Sequence, residues 1–213
     1  CFWYISLGWF VLNNGKQCYS GDGGCMKKLI VFSFMSLIVF LMLCGRIVAD
    51  DGMNPSLHDG DITIVLPLQP KIGDIVAVKD PLNPNGGEVF RRVLALGEMD
   101  FSYDRNGSIM QNNRRITQKD MGVFGSHQAI EERFESGDGT IKKWVIMRLI
   151  EPVVFSVPEQ TVASGHVFLI ADQRDEGLDS RIWGAIPEEW ITGVVSLRLG
   201  KVEPWGSWAT WRP

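Results

Sequence analysis

The sequence predicts a mostly β domain, a strongly bent or barrel-like sheet, behind one N-terminal membrane-spanning helix. Three observations carry that prediction. Residues 29–45 read LIVFSFMSLIVFLMLCG, 17 residues without a charge, near the short end of what crosses a bilayer. Beyond residue 60 the chain breaks into short Val- and Ile-rich runs bounded by Gly, Pro, Asn or Asp, the pattern of strands. No stretch there carries a sustained apolar stripe of helical period.

The elements follow in chain order. Residues 1–25 begin with Cys1, show no helical stripe and end in a Gly-rich stretch. Met26-Lys27-Lys28 looks like a natural start, so 1–25 is read as an upstream extension. A short hydrophobic hairpin is the other reading, and it is too short to span comfortably. The anchor is assigned to 26–49. Arg46 would snorkel, extending the apolar stretch through Ile47, Val48 and Ala49 to about 20 residues. Lys27 and Lys28 put the N-terminal side in the cytoplasm and everything after the span outside. A cleaved signal peptide shows the same two lysines before an apolar run. A lipoprotein anchor at Cys44 wants a small residue where Leu43 stands. A buried core helix is the remaining reading.

The domain is assigned to 50–200. Its expected strands are 61–68, 74–80, 88–96, 142–150, 166–172 and 191–199. Asn112-Asn113, between SIMQ and RRI, suits a tight hairpin turn, and 187–190 suits one helical turn. Gly86-Gly87 reads as a hairpin loop, since no helix start follows to make a phosphate cradle. The tail, 201–213, carries Trp205, Trp208 and Trp211. Such spacing suits a lipid surface or packing on the sheet.

Composition narrows the function. A chain of 213 residues fits one domain plus an appendage and can bury a sizeable core. Lys16, Lys27 and Lys28 are the bases before Arg46, and Asp22 is the acid. The 21 bases and 25 acids of the whole chain therefore become 18 and 24 from Arg46 onward. An acidic domain, with a chain pI near 5.4, argues against nucleic acid as a partner. With 22% charged residues the chain is too ordinary to be disordered. The cysteines are Cys1, Cys18, Cys25 and Cys44, so the domain has neither a disulfide framework nor thiolate chemistry. His58, His127 and His166 are scattered without metal-ligand spacing, so no metal and no cofactor is expected.

Three segments are more specific. They are Gly52-Met53-Asn54-Pro55-Ser56-Leu57-His58-Asp59-Gly60-Asp61, then Val89-Phe90-Arg91-Arg92-Val93, then the stretch from Ala171 to Pro187, ADQRDEGLDSRIWGAIP. With the preceding apolar run, their order and spacing resemble the type I signal peptidases over roughly residues 27–200. Gly73-Asp74-Ile75-Val76 also looks like that family's G-D-I-V strand. The resemblance implies a membrane-anchored serine peptidase with a Ser/Lys dyad. A serine hydroxyl needs an adjacent base, and a lysine serves once burial lowers its pKa.

This chain departs from the pattern at both reactive positions. The family's nucleophile precedes the Met, which here is Gly52. Its base precedes Arg-Val, which here is Arg91. Glycine has no oxygen to attack with, and arginine stays protonated. The hydroxyl that commonly helps the oxyanion lies two residues before the nucleophile, here Asp50, and a carboxylate there would repel a developing oxyanion. Ser56 matches a position that is simply Ser or Thr in the family. Ser180 matches the serine that orients the dyad lysine. Met53, Val89 and Phe90 match segments between which the substrate adds as an extended strand. Asp172, Arg174, Asp179 and Arg181 are expected to form a polar network holding loop to sheet. Arg91 is expected to pair with Asp50 or Asp51, the other reading being solvated juxtamembrane acids and a surface arginine.

The expected function is that of a non-catalytic signal peptidase relative on the outer side of a bacterial inner membrane. It would still receive the signal peptide, or another extended peptide, of an exported protein, with membrane lipid as its other partner. An active peptidase with a rearranged site is the alternative, and a decayed gene without function is a third reading.

Overall fold

The computed structural model describes residues 23–83, 86–137, 139–152 and 155–201. The assigned extension, apart from its last three residues, and the Trp-rich tail after Lys201 lie outside the described residues. The chain divides into an N-terminal unit, ending at Leu43, and a β unit from Cys44 onward.

The described residues of the first unit belong to helix α1, Gly23–Cys44. It is apolar all round rather than on one stripe, and its large side chains are exposed, as for a segment that solvates in lipid rather than in a core. Its 18-residue stretch Lys27–Cys44 is long and apolar enough to cross a membrane. At 1.5 Å per residue that is about 27 Å, close to the thickness of the hydrocarbon core. The helix ends at Cys44, five residues before the expected boundary. Arg46 does not extend it: Gly45–Ile47 is a strand, β1, with Arg46 opposite Thr63 and its Nε 3.1 Å from Glu88 Oε2.

The β unit continues with β2 (Asp61–Leu66), β3 (Ile75–Lys79), β4 (Glu88–Leu96), β5 (Asp100–Tyr103), β6 (Ile109–Gln111), β7 (Arg114–Arg115) and β8 (Thr117–Phe124). Then come β9 (His127–Glu135), β10 (Ile141–Leu149), β11 (Val157–Thr161), β12 (His166–Ile170), helix α2 (Ser180–Trp183), β13 (Ile186–Pro187) and β14 (Ile191–Lys201). A 3₁₀ turn, Glu188–Trp190, occupies the expected single helical turn.

The main sheet is antiparallel, in the order β1-β2-β14-β3-β4-β12-β13. It bends because β14 is bulged: its register slips at three places against β2 and β3, and each extra residue adds local twist. Gly193 permits a close approach of β14 to β2. A Cβ there would lie 2.6 Å from the Leu66 carbonyl oxygen. β1 and β13 remain unjoined, so the sheet curls without closing. A second sheet, β11-β5-β6-β7, and a three-stranded ribbon, β10-β9-β8, complete the unit. The β6–β7 turn is made by Asn112 and Asn113 at φ +44° and +61°, left-handed values that asparagine tolerates in tight hairpins.

Strand β4 is covered on both faces, and alternation sorts its side chains. Phe90 joins Val48, Met53, Leu57, Val65 and Ala77 in one core cluster. Val93 joins Val76, Val78, Val167 and Leu169 in another. Leu94 enters the largest, with Phe101, Ile109, Trp144 and Phe168.

Candidate functional site

The segment that follows β1 folds back on its own backbone. Val48 N–H donates to Asp61 O at 2.9 Å and Gly60 N–H returns to Val48 O at 2.8 Å. Gly60, at φ +83°, makes the turn into β2. Between these ties lie Asp50, Asp51 and Gly52. The Gly52 carbonyl accepts from Gln173 N–H at 3.0 Å, which docks this segment on the loop 171–179.

Arg91 projects from β4 toward this segment and is 3% exposed. Its Nη1 donates to Asp50 Oδ2 at 2.9 Å and to Phe90 O at 2.5 Å, and its Nε donates to Leu178 O at 2.7 Å. The guanidinium carbon sits 5.8 Å from the centre of the Trp183 ring, within cation–π range. Of the two acids expected as partners, Asp50 is the one. Asp51 instead accepts from Asp59 N–H at 3.0 Å. A Cβ at position 52 would lie 2.8 Å from Arg91 Nη1, so the cation occupies the space a side chain there would need.

These residues floor a cleft of about 460 Å³, walled by Ala49 to Gly52, by Asp80, Glu88 and Val89, and by Glu176 to Leu178 with Trp183. The expected peptide-contacting residues divide. Val89 lines the cleft, whereas the side chains of Met53 and Phe90 are 0% and 1% exposed within the core and offer a ligand no surface. Alternation is the reason: if Arg91 faces the cleft, its neighbour Phe90 points the other way. Backbone is also available. β4 pairs with β3 along Glu88–Arg92, but with β12 only from Arg92 onward. The β12-side edge of residues 88–91 is therefore left without a partner strand.

The Ser180 hydroxyl is engaged away from Arg91. The residue is 2% exposed, and its Oγ accepts from Leu169 N–H at 3.0 Å, tying the start of α2 to β12. Asp179 caps that helix through Arg181 N–H and accepts from Ala171 N–H, both at 2.9 Å. Its carboxylate also takes Arg181 Nη2 at 2.7 Å. Burial by itself lowers the pKa of the Arg181 guanidinium, but the Asp179 carboxylate outweighs burial and holds it above its ordinary value. Tyr103 and Phe155 face the same guanidinium carbon at 5.5 and 5.0 Å.

Asp172 and Arg174 are buried, with partners that the motif does not contain. Asp172 clamps Arg92, with Nε to Oδ1 at 2.7 Å and Nη2 to Oδ2 at 2.5 Å. It also accepts from Ser56 Oγ at 2.5 Å. Arg174 Nη2 meets Glu132 at 2.5 Å, and the same carboxylate takes Trp144 Nε1 at 2.7 Å and Gln118 Nε2 at 3.0 Å. The expected network is thus three separate ion pairs, and Arg92, Ser56 and Glu132 are its unforeseen members. Glu132 was detectable, because Ile130 and Phe134 flank it at two-residue spacing and place it on the inward face.

A family model described as "Signal peptidase, peptidase S26" matches residues 25–200. The chain belongs to the signal peptidase family, peptidase S26. Among its relatives is a probable signal peptidase I-1 of Synechocystis, 26% identical, covering 85% of this chain and 86% of the relative. Signal peptidase I of Pseudomonas aeruginosa is 27% identical over 75% of this chain and 62% of the relative. A solved signal peptidase I of Enterococcus faecalis superimposes at a TM-score of 0.39 with 19% identity, over 62% of this chain and 100% of that one. The family model spans the stretch that here carries the helix, the cleft and the three ion pairs.

Proposed function

We propose that this chain is a signal peptidase relative that holds an extended peptide of an exported preprotein without cleaving it. It would do so from one anchor helix, with the β unit on the outer side of a bacterial inner membrane. The observation that carries this reading is the pairing of Arg91 with Asp50 across Gly52. Where the resemblance places nucleophile and base, the chain has no hydroxyl and a cation that cannot accept a proton. The carboxylate that neutralises that cation stands on the side where an oxyanion would need donors. Ser56 offers no substitute, because its hydroxyl already bonds Asp172 and accepts from Arg92 Nη2 at 2.9 Å.

Peptide capture does not need the dyad. An extended segment adds to a sheet edge through backbone hydrogen bonds, with side chains entering pockets on alternate sides. The unpaired edge at Glu88–Arg91 and the adjoining cleft supply both. Arg91 Nη1 already occupies the Phe90 carbonyl, so a peptide would exchange with the guanidinium for that acceptor.

The test is incubation of the purified full chain in detergent with a radiolabelled preprotein. The expected result is a stoichiometric, signal-peptide-dependent complex and no mature product. Cleavage at the signal-peptide boundary by the unmodified chain would support the active-peptidase alternative and overturn the proposal. Failure to form a complex would overturn the binding half of it.

A further inference from the structure

A histidine stands where the ribbon β10-β9-β8 meets the loop 171–179. His127 opens β9, and its Nε2 lies 2.9 Å from Nε2 of Gln173. Gln173, 4% exposed, donates from the same nitrogen to Glu176 Oε2 at 3.1 Å. We propose that His127 is a positioning residue for the cleft. Its neutral imidazole holds the loop wall in place through Gln173 and Glu176, and its protonation releases that wall. This role rests on the peptide capture proposed for the cleft.

Counting protons fixes the form of the ring. An amide nitrogen carries two hydrogens and accepts none. The contact with the Glu176 carboxylate needs a donor, so the amide nitrogen of Gln173, and not its oxygen, stands there. One hydrogen goes to Glu176 and the other to His127 Nε2, which must therefore be bare. The ring proton then sits on Nδ1, 3.1 Å from Ser126 Oγ, which accepts it. An imidazolium would instead set a ring N–H against the amide N–H across 2.9 Å.

Two rearrangements relieve that clash, and both undo the same tie. The ring can turn to Glu176, whose Oε1 is 3.7 Å from Nε2, and form a charge-assisted bond. Alternatively the amide rotates and offers its oxygen, which is buried with no partner. That oxygen would then face the Glu176 carboxylate and repel it. In either case Gln173 ceases to hold Glu176. The other neighbours do not replace the tie. Opposite His127 stand Phe124 on β8 and Leu149 on β10, both without charge. Asp175 accepts from Leu149 N–H at 2.7 Å. Arg148 turns to the carbonyls of Asn106 and Arg105, at 2.6 and 3.4 Å.

The tie matters because Gln173 is also bound through its backbone. Its N–H donates to Gly52 O on the cleft floor, and its carbonyl accepts from Gly177 N–H, both at 3.0 Å. Glu176, Gly177 and Leu178 form the cleft wall, and Leu178 O receives Arg91 Nε. One residue thus pins the wall by side chain and backbone before a peptide arrives, which lowers the ordering cost of binding. Histidine is the side chain whose charge changes between about pH 5 and 8. The neutral form holds the wall, so capture should weaken as pH falls through that window.

The experiment uses the full chain in a neutral maltoside detergent at about pH 7.5 and about pH 5.5, on either side of that change. Binding of a rhodamine-labelled, N-acetylated signal peptide without histidine is read by fluorescence anisotropy. Nitrogen-15 labelling of the three histidines reports each ring, and loss of a signal in His127→Gln assigns His127. At the higher pH the His127 ring should be neutral with its proton on Nδ1. The peptide should bind about fivefold to tenfold more weakly at the lower pH. In His127→Gln, whose amide oxygen also accepts from Gln173, binding should be the same at both. A proton on Nε2 at the higher pH, equal binding by the unmodified chain at the two, or the same weakening in His127→Gln would overturn the proposal. If no peptide binds at either pH, the capture reading fails, and the side-chain amide signals of Gln173 decide the role of His127. Shifts that follow the titration of His127 support the tie, and signals that stay fixed overturn it.

Discussion

Arg91 and Arg92 are neighbours on one strand and serve opposite purposes. Strand alternation sends them to opposite faces of β4. Arg92 is clamped by both oxygens of Asp172, whose side chain is 0% exposed, and Trp144 stands 5.1 Å from its guanidinium carbon. Arg91 meets Asp50, whose side chain is 33% exposed, and lies on the floor of the cleft. The first pair fastens the loop 171–179 to the sheet. The second fills a place where the family resemblance expects chemistry. Both guanidiniums are buried and only their acids differ, Asp172 being dry and Asp50 partly open to solvent, so loss of the first pair should cost more than loss of the second.

The sharpest way to break that comparison is to remove Arg92. Arg92→Ala leaves Asp172 charged, buried and bonded by Ser56 alone. It should cost about 3–5 kcal/mol of unfolding free energy, measured by denaturant titration. A loss under about 1 kcal/mol would mean that the two arginines are equivalent and the contrast false.

A smaller effect is expected at Gly52. Gly52→Ala puts a Cβ against Arg91 Nη1 and should destabilise by about 1–3 kcal/mol, as overpacking does. In an Arg91→Ala background the same change should cost almost nothing. Equal penalties in the two backgrounds would show that the guanidinium does not hold that space.

The smallest effect belongs to the Asp50 pair. Asp50→Ala should cost about 1–2 kcal/mol, less than Arg92→Ala, because Leu178 O and Phe90 O still receive the guanidinium. Yet Arg91→Ala, which releases the Phe90 carbonyl and the β4 edge, should tighten binding of an extended peptide. Weaker binding would show that the arginine itself contacts the peptide rather than competing with it.

Much of this was legible in the sequence. Six Val- and Ile-rich runs became strands with ends within a few residues, since each is an apolar run closed by turn formers. The Asn112-Asn113 hairpin was readable for the same local reason. Strand β8 was not. TQKDMGVF is exposed along nearly its whole length, so its order comes from pairing with β9 rather than from burial, and hydrophobic period cannot reveal it. The helix stops short of Arg46 because β2 pairs with its backbone and Glu88 takes its side chain, and neither is local in sequence. At the site, Gly52 and Arg91 at the positions where the resemblance expects a serine and a lysine were readable residue by residue. The division between cleft-facing and core-facing neighbours was implicit in strand alternation. Glu132 and Arg174, which meet across 42 residues, could only be joined by the fold.

The central claim is that a plug of Arg91 and Asp50 stands where a dyad would. Signal-peptide cleavage by restored variants tests it most directly. Gly52→Ser/Arg91→Lys supplies the nucleophile and the amine but leaves Asp50 beside that amine to keep it protonated. Adding Asp50→Ser removes that counter-charge and returns a hydroxyl to the oxyanion side. The account predicts no mature product from the unmodified chain, little from the double variant and clear cleavage from the triple variant. Cleavage by the unmodified chain, unchanged in the triple variant, would contradict it.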